Sequence, residues 1–218
     1  MISLLAVLGL LLPTALVAGV IWLVIRNSRR EQARLQQRAA DAARFGWYLV
    51  PPNPWLLEVA KRLYRSGKPG EMFAGDFRGR GMCALDYRYT TSNGKNQQIH
   101  RVHLVVMHLP VALPPLTLWR RTGLRRVGFE LENQRFNDTF RIGCLDNRYA
   151  SAFLHPRLME WMLYNPGLEW QIAGNALVSW GPGDFTVVDV VARLEAMSRV
   201  VELIPPFVLR DYGQPTFR

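Results

Sequence analysis

The sequence predicts an α+β fold: one N-terminal transmembrane helix, a basic stalk, and a β-rich domain with an antiparallel sheet and three or four packing helices. Three observations predict it. An uncharged apolar run spans residues 2–25, period-two alternation fills the middle of the chain, and helical periodicity stands on both sides of that middle. Strands that cluster between helices, rather than alternating with them, favour α+β over a doubly wound sheet.

The run ISLLAVLGLLLPTALVAGVIWLVI, residues 2–25, contains no charged residue. As a helix it is ~36 Å long, which exceeds the ~30 Å hydrocarbon core of a bilayer. A cleaved signal peptide has a shorter apolar core that ends in small residues, whereas bulky side chains close this run at residues 21–25. We therefore expect a retained single-pass anchor in the lipid bilayer, with residues 1–25 as the transmembrane helix.

A basic segment follows the anchor and predicts its orientation. Residues 26–44 carry six arginines against Glu31 and Asp41 and are interpreted as a juxtamembrane helix. Positive flanks stay cytoplasmic, so the N-terminus should lie outside and the domain should face the cytoplasm from the inner or plasma membrane. Basic residues near anionic lipid gain ~1 kcal/mol each, which makes four of these residues candidates for lipid binding: Arg26, Arg29, Arg30 and Arg34.

The first half of the domain is predicted to be a helix followed by strands. Asn53 before Pro54 is typical of a helix N-terminus. Residues 82–91 alternate as a strand, Asn93-Gly94 favours a tight hairpin, and the apolar stretch 104–107 predicts a central returning strand. Shorter strands are predicted at residues 114–121, 125–132 and 140–144.

The second half is predicted to hold a helical pair and a β-hairpin. Asp146 or Asn147 should cap the pair, which breaks at His155-Pro156 because the residue before proline avoids helical backbone. Residues 168–174 and 176–181 are interpreted as the two strands of the hairpin.

A last helix is predicted to begin near Thr186, because apolar residues recur at 3.6 spacing from Val187 to Ile204. Its wet face should carry the pairs Asp189 with Arg193 and Glu195 with Arg199. The cytoplasmic domain is therefore predicted over residues 45–204, and the segment 205–218, which opens with two prolines, is predicted to be a loose C-terminal tail.

Three histidines lie close together in the sequence, but their spacing does not suit a metal site. On a strand, His100 and His108 lie ~27 Å apart and His103 points to the opposite face, so one ion cannot collect all three. Neither a nucleophile motif nor a phosphate loop is present. We expect no metal, no cofactor and no enzymatic activity. Acid/base chemistry by Glu130, Glu132 and His103 is left as an alternative, which requires the three side chains to share a pocket.

The stretch FELENQRFNDTFRIGC, residues 129–144, is interpreted as a folding seam rather than an acid/base site. Neighbouring arginines neutralise its carboxylates, and Phe136 and Phe140 are typical of core anchors around a turn at Asn137-Asp138.

Arginine pairs flank a predicted turn at Gly123 and form the best anion-binding candidate. They are Arg120, Arg121, Arg125 and Arg126. Nucleic-acid phosphates would use such a patch, but a membrane-tethered chain favours lipid headgroups or an acidic protein partner over nucleic acid. A solvated loop is the structural alternative.

Tryptophans are candidates for a partner-binding face, because Trp is enriched where interfaces gain most of their energy. The candidates are Trp161, Trp170 and Trp180. A place in the core is the alternative for each of them.

The segment FELENQRFNDTFRIGCLDNRYASAFLHPRLMEWML resembles the signature of a bacterial family of membrane-anchored proteins that share a domain of unknown function. An acidic residue precedes a Phe-x-x-x-Phe pair, and a strand, an Asp, an Ala-rich helix, a Leu-x-Pro step and a Met-rich helix follow. The resemblance covers residues 73–204 and implies an anchored α+β domain with no assigned reaction. The matching positions are Glu132, Phe136, Phe140, Asp146, Ala152, Leu154, Pro156, Met159, Met162 and Leu163.

Composition agrees with a bacterial origin of the high-GC type, since only three of the 27 basic residues are lysines and the net charge is +10. The leading hypothesis is a single-pass, non-enzymatic accessory or scaffold protein whose cytoplasmic domain binds a membrane-protein complex. The alternative is a domain that binds anionic lipid or another anion at the inner membrane face. An enzyme without a recognisable motif is the third hypothesis.

Overall fold

The computed structural model describes residues 2–94, 96–122, 129–183 and 185–215, with side chains from residue 21 onwards. The chain divides into two compact units, residues 1–45 and residues 46–218. Each unit is described by itself.

The first unit is one long helix, α1, over Ile2–Ala43. The predicted anchor and the predicted basic stalk are therefore parts of one continuous helix. Where side chains are described, no helix combines the length and the apolar character that a membrane crossing requires. The predicted anchor falls mainly on residues 2–20, whose side chains lie outside that part of the structure, and it stays a prediction.

The second unit combines strands and helices, which confirms the predicted α+β class. In chain order its described elements are β1 (Tyr48–Val50), α2 (Pro54–Leu63), β2 (Gly67–Phe77), β3 (Arg80–Ser92), β4 (Gln97–Arg120), α3 (Gln134–Thr139), β5 (Phe140–Cys144), α4 (Asn147–Phe153), α5 (Pro156–Tyr164), β6 (Glu169–Pro182), α6 (Val187–Glu202) and α7 (Pro206–Asp211).

The strands form one antiparallel sheet with β4 at its centre. β1, β2 and β3 pair in order, and β3 pairs with the first half of β4. β5 pairs with the second half of β4, and β6 pairs along the opposite edge of both halves. Residues 102–107 are buried on both faces of β4, which confirms the predicted central strand.

Helices cover the two faces of this sheet. α2 packs its buried Leu56 and Val59 on one face, in a cluster with Leu104 and Val106 of β4. α6 packs on the other face, where the Ser198 hydroxyl lies 3.8 Å from the Met107 sulfur. Successive strand residues point to opposite faces, so the even and odd positions of β4 contact different helices.

Both long strands, β4 and β6, fold over near their middle. Three prolines stand in β4 at positions 110, 114 and 115, and the β4–β6 register shifts between His108 and Leu116. A proline has no N–H to donate to the ladder, so these positions interrupt it. In β6 the matching bend is at Gly174, whose φ is +63°, a left-handed conformation that glycine adopts without strain.

A contact within β6 shows how far the strand folds back. The Ser179 hydroxyl donates a hydrogen bond of 2.7 Å to the Glu169 carbonyl, although ten residues of extended strand span ~33 Å. The predicted hairpin over residues 168–181 is therefore wrong in its pairing. In the described ladder both segments pair with β4, as two halves of one strand.

Helix boundaries follow the predicted caps. Asn53, Asp146 and Thr186 each occupy an N-cap and accept hydrogen bonds from the first-turn N–H groups of their helices. The break at His155-Pro156 is also confirmed, since α4 ends at Phe153 and α5 begins at Pro156.

The predicted turn at Asn137-Asp138 is wrong, because these residues belong to the short helix α3. Asn133 caps it by accepting from the Phe136 N–H at 3.1 Å. The buried Asn137 amide donates to the Leu131 carbonyl at 2.6 Å and accepts from the Leu131 N–H at 3.0 Å. A side chain that hydrogen-bonds to both the N–H and the carbonyl of one residue in this way holds the preceding segment against the helix.

The expectation of a loose C-terminal tail is also wrong for its described part. α7 buries Val208, and the Tyr212 ring lies 5.1 Å from the ring of Tyr149. Gln214 pairs with Ala112 in an isolated bridge. This segment therefore packs on the domain. The predicted strand at 125–132 and its turn at Gly123 lie mostly outside the described residues, apart from a bridge between Phe129 and Ile142.

The bend at Gly174 leads to a stability prediction. We expect Gly174→Ala to lower the free energy of unfolding by about 1–2 kcal/mol, because an L side chain is strained at this φ. No described atom lies within 4 Å of the added Cβ, so a clash does not contribute. Asn tolerates left-handed backbone. The free energy of unfolding, measured in urea, should therefore fall clearly less in Gly174→Asn than in Gly174→Ala. Equal losses for the two variants would contradict the strain explanation.

Candidate functional site

Two clefts lie on either side of the end of β6 and share Pro182 and Gly183 as a common wall. The first, here named the aromatic cleft, has a volume of about 990 Å³. Its principal residues are Tyr64, Tyr89, His100, Trp119, Glu169 and Trp180. The second, the polar pocket, has a volume of about 550 Å³. Its principal residues are His103, Asn165, Thr186, Asp189 and Arg193.

Stacked rings form one side of the aromatic cleft. The Tyr64 and Tyr89 rings lie 5.3 Å apart between centroids, and the Tyr89 and His100 rings lie 4.9 Å apart. Tyr89 and His100 are cross-strand partners in the β3–β4 ladder, and Tyr64 follows the last residue of α2. Burial, followed by the charge of Glu169, raises the pKa of the Tyr64 phenol, so it stays neutral at physiological pH.

The opposite side of this cleft comes from the folded-over half of the sheet. Trp119 and Ile99, both of β4, line this same cleft, although twenty residues of extended strand span ~66 Å. The Arg141 guanidinium lies 5.9 Å from the Trp119 ring centroid. The cleft therefore depends on the fold-over of β4, because that bend brings the two ends of the strand together.

Glu169 joins the two halves of the sheet at the base of the aromatic cleft. One carboxylate oxygen accepts from the Trp180 indole N–H at 3.1 Å, and the other accepts from the Arg120 backbone N–H at 2.8 Å. Hydrogen bonds to an ionised acceptor are roughly twice as strong as neutral ones. Glu169 thus fixes the orientation of the Trp180 ring and positions the end of β4.

The polar pocket contains a buried histidine. His103 is only 4% exposed, and neither ring nitrogen forms a hydrogen bond of good geometry among the described residues, although the Gly183 backbone interacts weakly with the ring. Burial lowers the pKa of His103, and the positive charge of Arg193 lowers it further, while the Gly183 backbone and Asp189 act in the opposite direction. The imidazole is therefore held in its neutral form.

Arg193 of α6 lies beside this histidine. Its Nη1 donates to the Ser179 hydroxyl and to the Trp180 carbonyl, both at 2.8 Å, and its Nε is buried without a partner in the described chain. The guanidinium occupies the space over Gly181, where a Cβ would collide with Nη2 and lie 3.3 Å from His103 Nε2. The prediction that Asp189 and Arg193 lie on a wet face of the helix is therefore wrong for Arg193, which is half-buried.

Electrostatics at Arg193 reflect this position. Burial lowers the pKa of the guanidinium, while Tyr64, Asp189 and Glu169 favour its charged form. An arginine remains charged in proteins because its pKa lies far above physiological pH. The side chain therefore places a positive charge between the two clefts.

The predicted anion-binding arginines occupy separate places. Arg26, Arg29, Arg30 and Arg34 are exposed on α1. Arg120 is exposed, whereas the Arg121 side chain is 12% exposed and lies 3.9 Å from the Glu130 carboxylate. Arg125 and Arg126 lie outside the described residues. The anion-binding role of this second group stays a prediction.

The three candidate tryptophans lie in different environments. Trp170 is fully buried and packs 5.6 Å from the Phe153 ring, so the core alternative applies to it. Trp161 is half-exposed on α5. Trp180 is 5% exposed and lines the aromatic cleft. A role in partner binding stays a prediction for Trp161 and Trp180.

The acid/base alternative lacks the shared pocket that it requires in the described part of the chain. His103 lines the polar pocket, whereas Glu130 and Glu132 are exposed and line neither cleft.

Several cleft residues were not predicted from the sequence, notably Tyr64, Tyr89, Trp119, Glu169 and Arg193. One usable signal was present. The three prolines at 110, 114 and 115 interrupt a long apolar strand and indicate a bend, and the two segments joined by that bend carry Ile99, His100 and Trp119.

Comparisons with known proteins support the fold. No protein-family model matches the sequence, and no curated protein matches it. Among solved structures, the chain is similar to the crystal structure of the mycobacterial trehalose monomycolate transport factor A, TtfA. The TM-score is 0.54 at 13% sequence identity, and the alignment covers 84% of this chain and 97% of that chain. At this identity the likeness shows a common fold.

The buried neutral His103 leads to a pH prediction. Its pKa in the folded chain lies below the unfolded value of 6.5, so below that pH the unfolded chain binds more protons and the free energy of unfolding falls. The slope from this residue is at most ~1.4 kcal/mol per pH unit. Urea unfolding between pH 7 and pH 5 measures this slope. In His103→Gln the free energy of unfolding should fall less steeply with decreasing pH than in the unchanged chain. The exposed His108 is the control, and a similar change in His108→Gln would count against the assignment.

Proposed function

We infer that this chain is a non-enzymatic accessory protein of a membrane-associated complex, and that the aromatic cleft is the surface that binds its partner. The observation that carries this proposal is the cleft itself, with stacked Tyr64, Tyr89 and His100 facing Trp119. Large aromatic side chains supply contact area at low conformational-entropy cost, and they dominate the energetics of protein interfaces.

The partner that suits this cleft is a protein segment with apolar or aromatic side chains. Ile99 at the rim is 68% exposed, and Trp119 is half-exposed, so apolar surface is accessible without a conformational change. The Glu169 carboxylate at the base already accepts two hydrogen bonds. It therefore orients Trp180, and the aromatic faces supply the contacts to the partner.

The membrane placement in this proposal rests on the sequence. Residues 2–25 act as a single-pass anchor, and the arginines after it keep the domain on the cytoplasmic side of the inner or plasma membrane. Membership in the membrane-anchored bacterial family that residues 129–163 resemble is part of the same proposal. A role in membrane transport is supported by the common fold with a transport factor.

A site-specific cross-linking experiment tests this function. A photo-reactive amino acid at Ile99 should form an adduct with a membrane protein in native membranes, because this residue stands at the rim of the cleft. Tyr164 is the matched control, since it is 77% exposed and lies outside both clefts. In addition, Trp119→Ala should reduce recovery of the same partner by at least about tenfold.

Adducts of the same intensity at Ile99 and Tyr164 would mean non-specific proximity at the membrane. A partner that is recovered equally well with Trp119→Ala would contradict binding at the aromatic cleft.

Anionic-lipid binding by the stalk is a second candidate function, and a specific observation favours it. Arg26, Arg29, Arg30 and Arg34 are all exposed on α1. Their spacing of three, four and eight residues from Arg26 places them on one face of the helix. A row of positive charges on one face of a helix can contact an anionic membrane surface, while the opposite face of the helix points away from it.

Vesicle flotation tests the stalk. With a variant that lacks residues 1–25, replacing the four arginines by Glu should weaken binding to anionic vesicles by roughly a thousandfold, given ~1 kcal/mol per basic residue. Vesicles of neutral lipid are the control and should bind neither form. Unchanged flotation of the charge-reversed chain would eliminate this candidate.

A further inference from the structure

The polar pocket contains unused hydrogen-bonding capacity on the buried His103 and on the half-buried Arg193, whose Nε is itself buried. His103 is 4% exposed, and apart from a weak interaction with the Gly183 backbone its ring nitrogens lack partners in the part of the chain that the structure describes. Its neutral ring offers one N–H donor and one acceptor. Unpaired buried polar groups are costly, and each one in a native structure calls for an explanation such as a ligand.

Arg193 adds a cation to the same wall of the pocket. Its contacts at Nη1 are to two neutral oxygens, and no carboxylate of the described residues forms an ion pair with it within 4 Å. Its Nε–H has no acceptor among the described residues. The Asp189 and Glu169 carboxylates favour the charged form of this half-buried guanidinium without forming an ion pair with it, so it can still accept an anion as a direct partner.

Gly181 positions the cation next to the histidine. The missing side chain at Gly181 leaves the space into which Arg193 Nη2 extends, beside His103 Nε2. Gly181 and His103 are cross-strand partners in the β6–β4 ladder. The sheet therefore presents donors from two different elements to one small volume.

The pocket also contains the first turn of α6, a 16-residue helix. Thr186 and Asp189 cap this helix reciprocally, since the Thr186 hydroxyl donates to the Asp189 carboxylate and accepts from its backbone N–H. A helix N-terminus corresponds to about half a positive charge. Together with Arg193 and the opposing Asp189, the lining carries a net charge of about +0.5 by this count.

The negative groups near the pocket do not fill it. The Asp189 carboxylate is held by Thr186. Glu169 accepts from Trp180 and Arg120 on the side of the aromatic cleft. Asp86 is the cross-strand partner of His103 on β3 and does not line the pocket.

We propose that the polar pocket is a binding site for an oxyanion, a carboxylate or a phosphate group, held by Arg193 and His103 over Gly181. The planar fork of a guanidinium matches two oxygens of either group, and the His103 N–H adds a further donor. This site goes beyond the proposed partner binding, because its donors do not line the aromatic cleft.

The test uses the full chain in detergent and two probes, inorganic phosphate and acetate, titrated separately by calorimetry at constant ionic strength with chloride. Saturable binding of at least one probe is expected. Binding of phosphate alone identifies a phosphate-bearing ligand, and binding of acetate alone identifies a carboxylate. If neither probe binds saturably, the proposal is overturned.

Two glycine variants localise the binding. Gly181→Ala should weaken it by at least about tenfold, because the new methyl displaces the guanidinium and removes charge-assisted hydrogen bonds. Gly167→Ala also adds a methyl to the lining of this pocket, but no described atom lies within 4 Å of it. This control should keep its affinity within about twofold, and equal losses in the two variants would refute the assignment to Arg193.

A third variant gives a change in the opposite direction and does not depend on the folding of Gly181→Ala. Asp189→Asn removes the opposing charge from the pocket while keeping a side-chain oxygen for the cap, so anion affinity should rise several-fold. Unchanged or weaker binding in Asp189→Asn would contradict an anion at this position. Partner cross-linking at Ile99 is a separate readout, so failure here and failure of the proposed function are distinguishable.

Discussion

The hydrogen bond from the Ser179 hydroxyl to the Glu169 carbonyl joins two parts of one strand that would lie ~33 Å apart in an extended chain. It exists because β6 bends at the left-handed Gly174 while β4 bends at its prolines, so that the paired strands fold over together. Trp180 and Glu169 add a second bond across the same gap. Without this fold-over, Trp119 would not face Ile99 and the aromatic cleft would not form.

Arg193 relates the two clefts to each other. One of its nitrogens holds the Ser179 hydroxyl and the Trp180 carbonyl, so the same side chain stabilises the folded-over strand and forms the wall of the polar pocket. Partial burial of a cation costs desolvation energy, and the two neutral hydrogen bonds of Arg193 offset part of this cost. A bound anion would offset the rest, and His103 Nε2 lies beside the same guanidinium at Gly181.

Local interactions account for what was predictable from sequence. The caps at Asn53, Asp146 and Thr186 depend on a side chain and the next few N–H groups. Asn53 was predicted as a cap, Asp146 was one of two candidates, and the last helix was predicted to begin near Thr186. The pairing of residues 168–181 depends on β4, whose partner residues lie about 50 to 80 positions away in sequence, and not on any local signal. The helical periodicity of the sequence predicted a solvent-exposed Arg193. Periodicity contains no information about Gly181, which lies on another element and leaves space for the guanidinium. For the same reason the predicted sites included only Trp180 from the aromatic cleft, and His103 from the polar pocket only as an acid/base alternative.

The turn from β6 into α6 determines how the clefts are placed. Gly183 has a φ of +103°, and its N–H donates to the Arg101 carbonyl at 2.9 Å, which ties the turn to β4 beside the aromatic cleft. Thr186 then caps α6 and directs its first turn over the polar pocket. Pro182 and Gly183 belong to the walls of both clefts. One short segment therefore borders both the aromatic surface and the buried hydrogen-bond donors. The two proposed binding sites, for an apolar segment and for an oxyanion, therefore depend on the same piece of backbone.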